Sequence, residues 1–320
     1  MQDPQRIYEY LLDYCSSADV IDRVNIGLVW TVCQTKSNTR INSGLAMTPM
    51  SATRTLKWPG TLAGQALKDV AKGILQWEPY QACVAMAAIN CSLNHGKDMP
   101  ECDILEAQAS SANLTVFEHF LPLIAGQKVV VIGHYPGIEK YVEQYHWQVL
   151  ERIPAGMDYP DPACEFLIPQ ADWVFLSASS LVNKTFPRLA ELAMSAKTVL
   201  MGPTVPWLPE LYSFGIDYLA GVEVSDAQAL YQTASEGGGV RIFETAVRYK
   251  VLALTAENNL LWFKQRIAVT AAQKERLTCA MDQWYSKGKN DRFPQYEQLH
   301  SVTEQLSLLD SGYKTLWDKQ

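Results

Sequence analysis

The sequence predicts an α/β protein in three consecutive parts: an α+β unit over residues 1–113, a parallel-sheet α/β unit over 114–255 and a helical extension over 256–320. Three observations carry that prediction. From about residue 115, short apolar runs alternate with segments of helical period, the rhythm of a parallel sheet with right-handed crossovers. Before about residue 95 the order is helix, β-hairpin, then two helices. After about residue 245 only helical periodicity remains.

In the first part, Asp3-Pro4 is placed to cap a helix reaching about residue 17, with Ile7, Tyr10, Leu11 and Tyr14 at helical spacing. The segments VNIGLVWTVCQT (24–35) and SGLAMTPM (43–50) read as strands joined by the polar turn KSNTR. Two helices follow: TLAGQALKDVAKGIL (61–75), which starts just beyond Pro59-Gly60, and EPYQACVAMAAINCSLN (78–94). The second is rich in small residues, so it must pack closely against something. Residues 95–113 are polar and irregular, and read as a linker.

The second part opens with the helix FEHFLPLIAG and the strand KVVVIG. Strands are expected at 147–152, 172–178, 198–202 and 216–221, with helices at 162–170 and 185–196 and a short one at PELYSFG. The unbroken apolar character of VVVI and WVFL fits strands buried on both faces. In the third part, residues 245–286 and 294–318 read as long helices broken near Gly288-Lys289-Asn290. Each carries an apolar stripe: Leu260, Phe263, Ile267 and Ala271 on one, Tyr296, Leu299, Val302, Leu306 and Leu309 on the other. Each stripe needs a partner. That partner is either the same chain, closing a helical hairpin, or a second copy, building a homodimer.

Hydrophobic residues make up 48% of the 320 and charged residues 19%, a globular balance. A net charge of −7 with no Lys/Arg-rich run argues against nucleic-acid or anionic-membrane partners, whose phosphates repel an acidic surface. No apolar stretch reaches 18 residues, and the N-terminus is polar and amphipathic, so no membrane span or secretory signal is expected. The seven cysteines are scattered and form no C-x-x-C pair, which fits reduced thiols in a cytoplasm. Cys91, His95 and Cys102 are spaced for a metal cluster, but the plainer reading is small buried cysteines, and no metal site is expected.

In a parallel sheet, ligands bind outside the carboxyl ends of the strands. That rule selects Gly133-His134-Tyr135-Pro136-Gly137 after the first strand, Glu151-Arg152 after the second, residues 177–185 after the third and Gly202-Pro203-Thr204 after the fourth. The third loop offers Ser177, Ser179, Ser180, Asn183 and Thr185, hydroxyls and amides suited to a polar or anionic ligand beside helix N-terminal amides. The plainer reading of the same residues is helix capping. Glu151, 18 residues after Gly133, stands where an acid binds ribose hydroxyls, or else forms a surface ion pair. The first loop reads G-x-x-x-G, not G-x-G-x-x-G. His134 and Pro136 put bulk where a dinucleotide needs bare backbone, so NAD and FAD are disfavoured. His134 is the natural acid/base candidate. His119 lies in an apolar helix and is expected only to pack. Gly237-Gly238-Gly239 has no strand before it and no G-K-[ST] after it, so it reads as a turn rather than a phosphate loop.

Taken together, VVVIGHYPG, VLER, DYPDPACEFLIPQADWVFLSASSLVNKT, MGPTVPWLPELYSFGIDYLAG and SEGGG resemble the heavy-metal chelation domain, a domain of unknown function. SGLAMT, GTLAGQALKDVAKGI and AMAAINCSLN resemble its N-terminal companion, and the likeness spans roughly residues 5 to 250. The resemblance implies an enolase-N-terminal-like domain, a Rossmann-like domain and a site in the cleft between them. By position that cleft includes Asn90, His134, Glu151, Ser179, Asn183, Thr185, Gly202 and Thr204, with residues 48–60 as a flap. Two departures stand out: the tail after about 255 lies outside the resemblance, and the third loop reads Ser-Ala-Ser-Ser in place of a Thr-Gly-type turn. The expected function is binding a small polar or anionic molecule, pterin-like or metal-chelating, and transforming it by condensation, hydrolysis or group transfer. Its rivals are a non-enzymatic chelator carrier and an S-adenosylmethionine-dependent methyltransferase, the latter by fold analogy alone. No cofactor is assigned.

Overall fold

The computed structural model describes residues 4–15, 19–36, 41–53, 56, 58, 60–94, 100–106 and 112–318. Helix α1 (Arg6–Asp13) buries Ile7 and Leu11 one turn apart. Strands β1 (Ile21–Ile26), β2 (Trp30–Lys36) and β3 (Ile41–Met47) form an antiparallel sheet in that order. The expected single strand over 24–35 is therefore two strands. The chain reverses at Gly27, where a Cβ would lie 2.4 Å from the Ala234 carbonyl oxygen, so this turn can press against a neighbouring helix only as glycine. The short α2 (Leu67–Ala71) runs into a 3-10 turn and leads to α3 (Pro79–Leu93). Pro79 opens α3, and the Glu78 side chain caps it by accepting from the Gln81 amide at 2.6 Å.

Every residue of α3 from Ala82 to Leu93 is buried, as expected of a helix that is apolar all round. One side lies on β2 and β3, and another meets α7 (Ser179–Val182) of the larger unit. Gly44 on β3 permits the first contact: a Cβ there would lie 1.9 Å from the Cys91 amide nitrogen.

The larger sheet has eight strands. Strand β4 (Asp103–Leu105) lies inside the stretch that reads as a linker, and α4 (Thr115–Ile124) follows it. Then come β5 (Val129–Ile132), α5 (Glu139–Tyr145), β6 (Gln148–Glu151), β7 (Tyr159–Pro160), α6 (Cys164–Leu167) and β8 (Trp173–Ser177). After α7 come α8 (Phe186–Leu192), β9 (Lys197–Met201), a 3-10 turn over Pro209–Phe214, β10 (Tyr218–Val224), α9 (Ala227–Ser235), α10 (Ile242–Thr245) and β11 (Val247–Ala253). The spatial order is β4-β11-β10-β9-β8-β5-β6-β7. Strands β7 through β10 pair in parallel; β11 and β4 are antiparallel. Strand β11 corrects the expectation of unbroken helix from 245. Its residues Val247, Tyr249 and Val251 alternate with Arg248 and Lys250, so a period-2 signal was present.

Period-2 burial is visible on both faces. Val130, Val174 and Leu176 face one apolar cluster, with α1, α3 and α8; Val131, Trp173 and Phe175 face another, with α4 and α5. The Gly237–Gly239 segment is a turn after α9. It serves the junction, since the Trp30 indole donates to the Gly239 carbonyl at 2.8 Å.

The two tail helices, α11 (Ala256–Ser286) and α12 (Tyr296–Trp317), pack on each other. Thr255 caps α11 by accepting from the Asn258 amide at 3.1 Å. Leu260, Phe263, Val302 and Leu309 are buried within this chain, so much of each stripe finds its partner here. No helix among the described residues is long and apolar enough to cross a membrane.

Candidate functional site

The parallel part of the large sheet begins at β5; the chain steps outward to β6 and β7, then returns to lay β8 against the other side of β5. That reversal is a topological switch point, with the loops after β5 and β8 on its two sides, the place where open parallel sheets commonly bind ligands. The two loops meet at their roots. A Cβ at Gly133 would sit in ordinary contact, 3.4 Å from the Ser177 Cβ, but its φ of +101° favours glycine. Gly202, at the end of β9, repeats the conformation with φ +106°.

Tyr135 fills the space between these strand ends. Its ring lies edge-on to Phe117 at 5.4 Å, and a Cβ at Gly202 would lie 3.9 Å from its hydroxyl. Burial pushes the phenol up to about 12, although a hydrogen bond with Ser177 works the other way. Ser177 and Ser179 share a hydrogen bond of 2.9 Å between their hydroxyls. Gly133, His134, Tyr135, Ser177 and Ser179 are each only partly buried, although burial dominates at the Tyr135 phenol.

His134 is held from three sides. Its amide donates to Glu151 Oε2 at 2.9 Å, its Nδ1 lies 3.0 Å from Asp158 Oδ2, and its Nε2 lies 3.3 Å from Glu139 Oε1. Burial alone lowers the imidazole pKa, but the Asp158 hydrogen bond and charge, then those of Glu139, outweigh it and leave the pKa raised. With a carboxylate at each ring nitrogen, both nitrogens act as donors in the protonated form. Asp158 is nearly buried, with 6% of its side chain exposed, and also accepts from the Ala155 amide at 3.1 Å; Glu139 is 57% exposed. Neither acid was singled out in the sequence. Asp158 belongs to a stretch with no secondary-structure period, although the acidic run Asp158-Tyr159-Pro160-Asp161 was visible.

Glu151 is occupied by backbone. Oε2 takes the His134 amide, and Oε1 takes the Arg152 amide at 2.7 Å and the Ile153 amide at 3.4 Å. Its carboxylate ties the end of β6 to the first loop. Asn183 accepts from the amide of Thr185 at 3.1 Å and from its hydroxyl at 2.7 Å, fixing the turn into α8. Ser180 is 2% exposed and its hydroxyl has no partner among the described residues.

Asn90 and Thr204 join the two units. The Asn90 amide nitrogen donates to the Leu45 carbonyl at 2.9 Å and the Thr204 carbonyl at 3.0 Å, while the Thr204 hydroxyl accepts from the Met47 amide at 2.9 Å. Beside them Val205, Trp207 and Leu208 are buried, and Asn94 accepts from the Trp207 amide at 3.2 Å. The loop after β9 thus packs tightly against α3 rather than walling an open cleft. Two cavities among the described residues lie elsewhere. One, of about 440 Å³, sits at the amino ends of β8, β9 and β10 near Asp172, Lys197 and Asp217; the other, of about 190 Å³, lies against the tail helices. Of the flap region, residues 54, 55, 57 and 59 lie outside the described residues, as does His95. Cys91 donates to the Asn42 carbonyl at 3.4 Å and Cys102 to the Pro100 carbonyl at 3.3 Å. Among the described residues no three His, Cys, Asp or Glu side chains converge to hold a metal ion.

Two family models, both described as "Putative heavy-metal chelation", match residues 8–93 and 115–253. An uncharacterized protein of Methanocaldococcus jannaschii is 36% identical over 92 residues, which span 27% of this chain and 36% of that protein's length. Among solved structures, a DUF364-family protein with unknown function from Desulfitobacterium hafniense superposes with a TM-score of 0.65 at 26% identity, covering 78% of this chain and 98% of its own. A DUF364-family protein with unknown function from Pyrococcus horikoshii, at 21% identity, shares the fold with a TM-score of 0.61, covering 78% of this chain and 99% of its own.

Proposed function

Because the chain belongs to the heavy-metal chelation family through residues 8–93 and 115–253, we propose that it binds a small polar or anionic molecule, pterin-like or metal-chelating, at the carboxyl ends of β5 and β8. The observation that carries this reading is the switch point between those strands, with Gly133, Tyr135, Ser177 and Ser179 partly buried around it and His134 beside them. Gly133 and Gly202 let a ligand approach bare backbone. Ser177 and Ser179 exchange their mutual hydrogen bond for bonds to the ligand.

His134 supplies positive charge. Its exposed partner Glu139 can give way at little cost, since an exposed ion pair is worth about 0–1 kcal/mol. A ligand anion then takes Nε2 while buried Asp158 keeps Nδ1 and the ring orientation. In a condensation, hydrolysis or group transfer, the same Nε2 proton goes to the leaving group.

A binding-only carrier is the second reading. It is favoured by the engagement of both Glu151 oxygens with backbone amides, which leaves that carboxylate no lone role as a base. The same engagement removes the support for a ribose-binding, S-adenosylmethionine-dependent reading. The test is to purify the native chain, denature it and identify released small molecules by mass spectrometry, alongside His134→Ala and Ser177→Val. A compound retained by the native chain and lost from both variants supports the site. Undiminished retention in both refutes it. Turnover of that compound separates enzyme from carrier.

A further inference from the structure

Three carboxylates surround the imidazole of His134. Asp158 holds Nδ1 at 3.0 Å, Glu139 holds Nε2 at 3.3 Å, and Glu151 accepts the His134 amide at 2.9 Å. Asp158 and Glu151 are committed to the fold, since each also accepts a backbone amide, that of Ala155 for Asp158 and that of Arg152 for Glu151. Glu139 is not committed in this way. It opens α5, its side chain is 57% exposed, and His134 is its one ion-pair partner among the described residues. The cations close by in sequence are held by other acids: Lys140 pairs with Glu118 at 3.4 Å, and Arg152 lies 3.8 Å from Asp161. Glu143, one turn along α5 from Glu139, adds a further exposed carboxylate to that face.

This charge pattern sorts ligands. A plain anion that takes Nε2 releases Glu139 beside itself with no cation paired to it, so two like charges face each other. A plain cation meets Glu139 but leaves Nε2 of His134 without a new partner. A zwitterion exchanges partners: one ion pair opens and two form, with no change in net charge. Building on the strand-end reading above, we propose that the ligand is an amino carboxylate, its carboxylate replacing Glu139 on His134 Nε2 and its ammonium taking the released Glu139. Glu139 is then the residue that selects for the amine. Its single contact and its exposure let the side chain swing without disturbing the core, while Asp158 keeps the imidazole in place throughout.

The test follows the ring signals of His134 by NMR of the full-length chain at about pH 6, below the pKa of a free histidine, with His134→Ala to assign them. Three probes of similar size are titrated: β-alanine, propionate and propylamine. β-Alanine is expected to saturate, and the other two to bind about fivefold more weakly or worse, the factor that one pair of unit charges about 4 Å apart produces in water. Glu139→Gln should bring β-alanine and propionate to within about twofold of each other, because the amine loses its partner and the anion loses its repulsion. Propionate binding the unaltered chain as tightly as β-alanine, or a preference that survives Glu139→Gln, overturns the proposal and leaves the strand-end reading standing. Propylamine matching β-alanine overturns the proposal together with the anion seat on His134. No movement of the His134 signals with any probe overturns both the proposal and the reading beneath it. Should Glu139→Gln fail to fold, the order of the three probes on the unaltered chain still decides.

Discussion

Replacing Asn90 tests whether it is a ligand group, as its motif suggests, or a strut, as its contacts suggest. Its amide nitrogen serves two buried carbonyls, Leu45 on β3 and Thr204 after β9, and its own Oδ1 has no partner. In Asn90→Ala, two carbonyls lose their donor at about 1–3 kcal/mol each, while deleting the unpartnered Oδ1 returns about 1–3 kcal/mol. The small void adds about 1 kcal/mol, so the net destabilisation works out at about 2–4 kcal/mol. Asn90→Asp should be worse, about 3–5 kcal/mol, because it turns a carboxylate oxygen toward two carbonyl oxygens with no cation to offset it. Urea unfolding followed by circular dichroism reads both. At about 2–4 °C per kcal/mol for a chain of a few hundred residues, the alanine variant also melts roughly 4–16 °C lower. Stability within about 0.5 kcal/mol of the parent, or an aspartate variant no worse than alanine, would refute the strut. Either result, joined to loss of the retained small molecule, would return Asn90 to the binding site.

Gly44→Ala should cost at least the ~1–3 kcal/mol of ordinary overpacking, because its Cβ would meet the Cys91 amide nitrogen at 1.9 Å and the Ala87 carbonyl oxygen at 2.3 Å, neither of which can rotate away; an unchanged urea midpoint would show that α3 does not sit where described. His134 should hold its proton to higher pH than a free histidine, and Asp158→Asn should bring its titration down, as seen by proton NMR of the ring. Since the folded pKa is raised, its stabilisation is complete below the unfolded pKa and fades as pH climbs through the folded value; titration unmoved by Asp158→Asn would mean the pair does not form. Lys184 is half-buried, donates to the Ile74 carbonyl and faces the Tyr8 ring, and burial pushes its pKa down to about 8. After reductive ¹³C-methylation, its resonance should titrate near pH 8 apart from the other lysines, and the folded state should gain stability as pH rises from about 8 toward the unfolded value; titration with the bulk lysines would discard this.

The α/β class, the parallel strands and the tail helices were legible because they rest on local pattern. Strands such as Val129–Ile132 and Trp173–Ser177 are buried on both faces, which leaves an uninterrupted apolar run. Strand β11 was hidden because it lies between α10 and α11 without glycine or proline to mark its ends. Strand β4 was hidden because three residues carry no period of their own; it is a strand only because β11 is there to pair with it.

The sequence by itself determined which loops stand at the strand ends, hence Gly133, His134, Ser177 and Gly202, because strand-then-helix order fixes which end of a parallel strand each loop occupies. Tertiary structure alone decided what those loops do. It spent Glu151 on three backbone amides, brought Asp158 from 24 residues away in sequence to His134, and set Asn90 and Thr204 as the joint between the two units. It also placed Glu210 and Asn259 on one cavity, although 49 residues separate them. The physical reason is one of range. Secondary structure follows from spacings of two to four residues, whereas a hydrogen-bond partner is chosen by which elements pack together, and packing is settled only when the whole chain is buried at once.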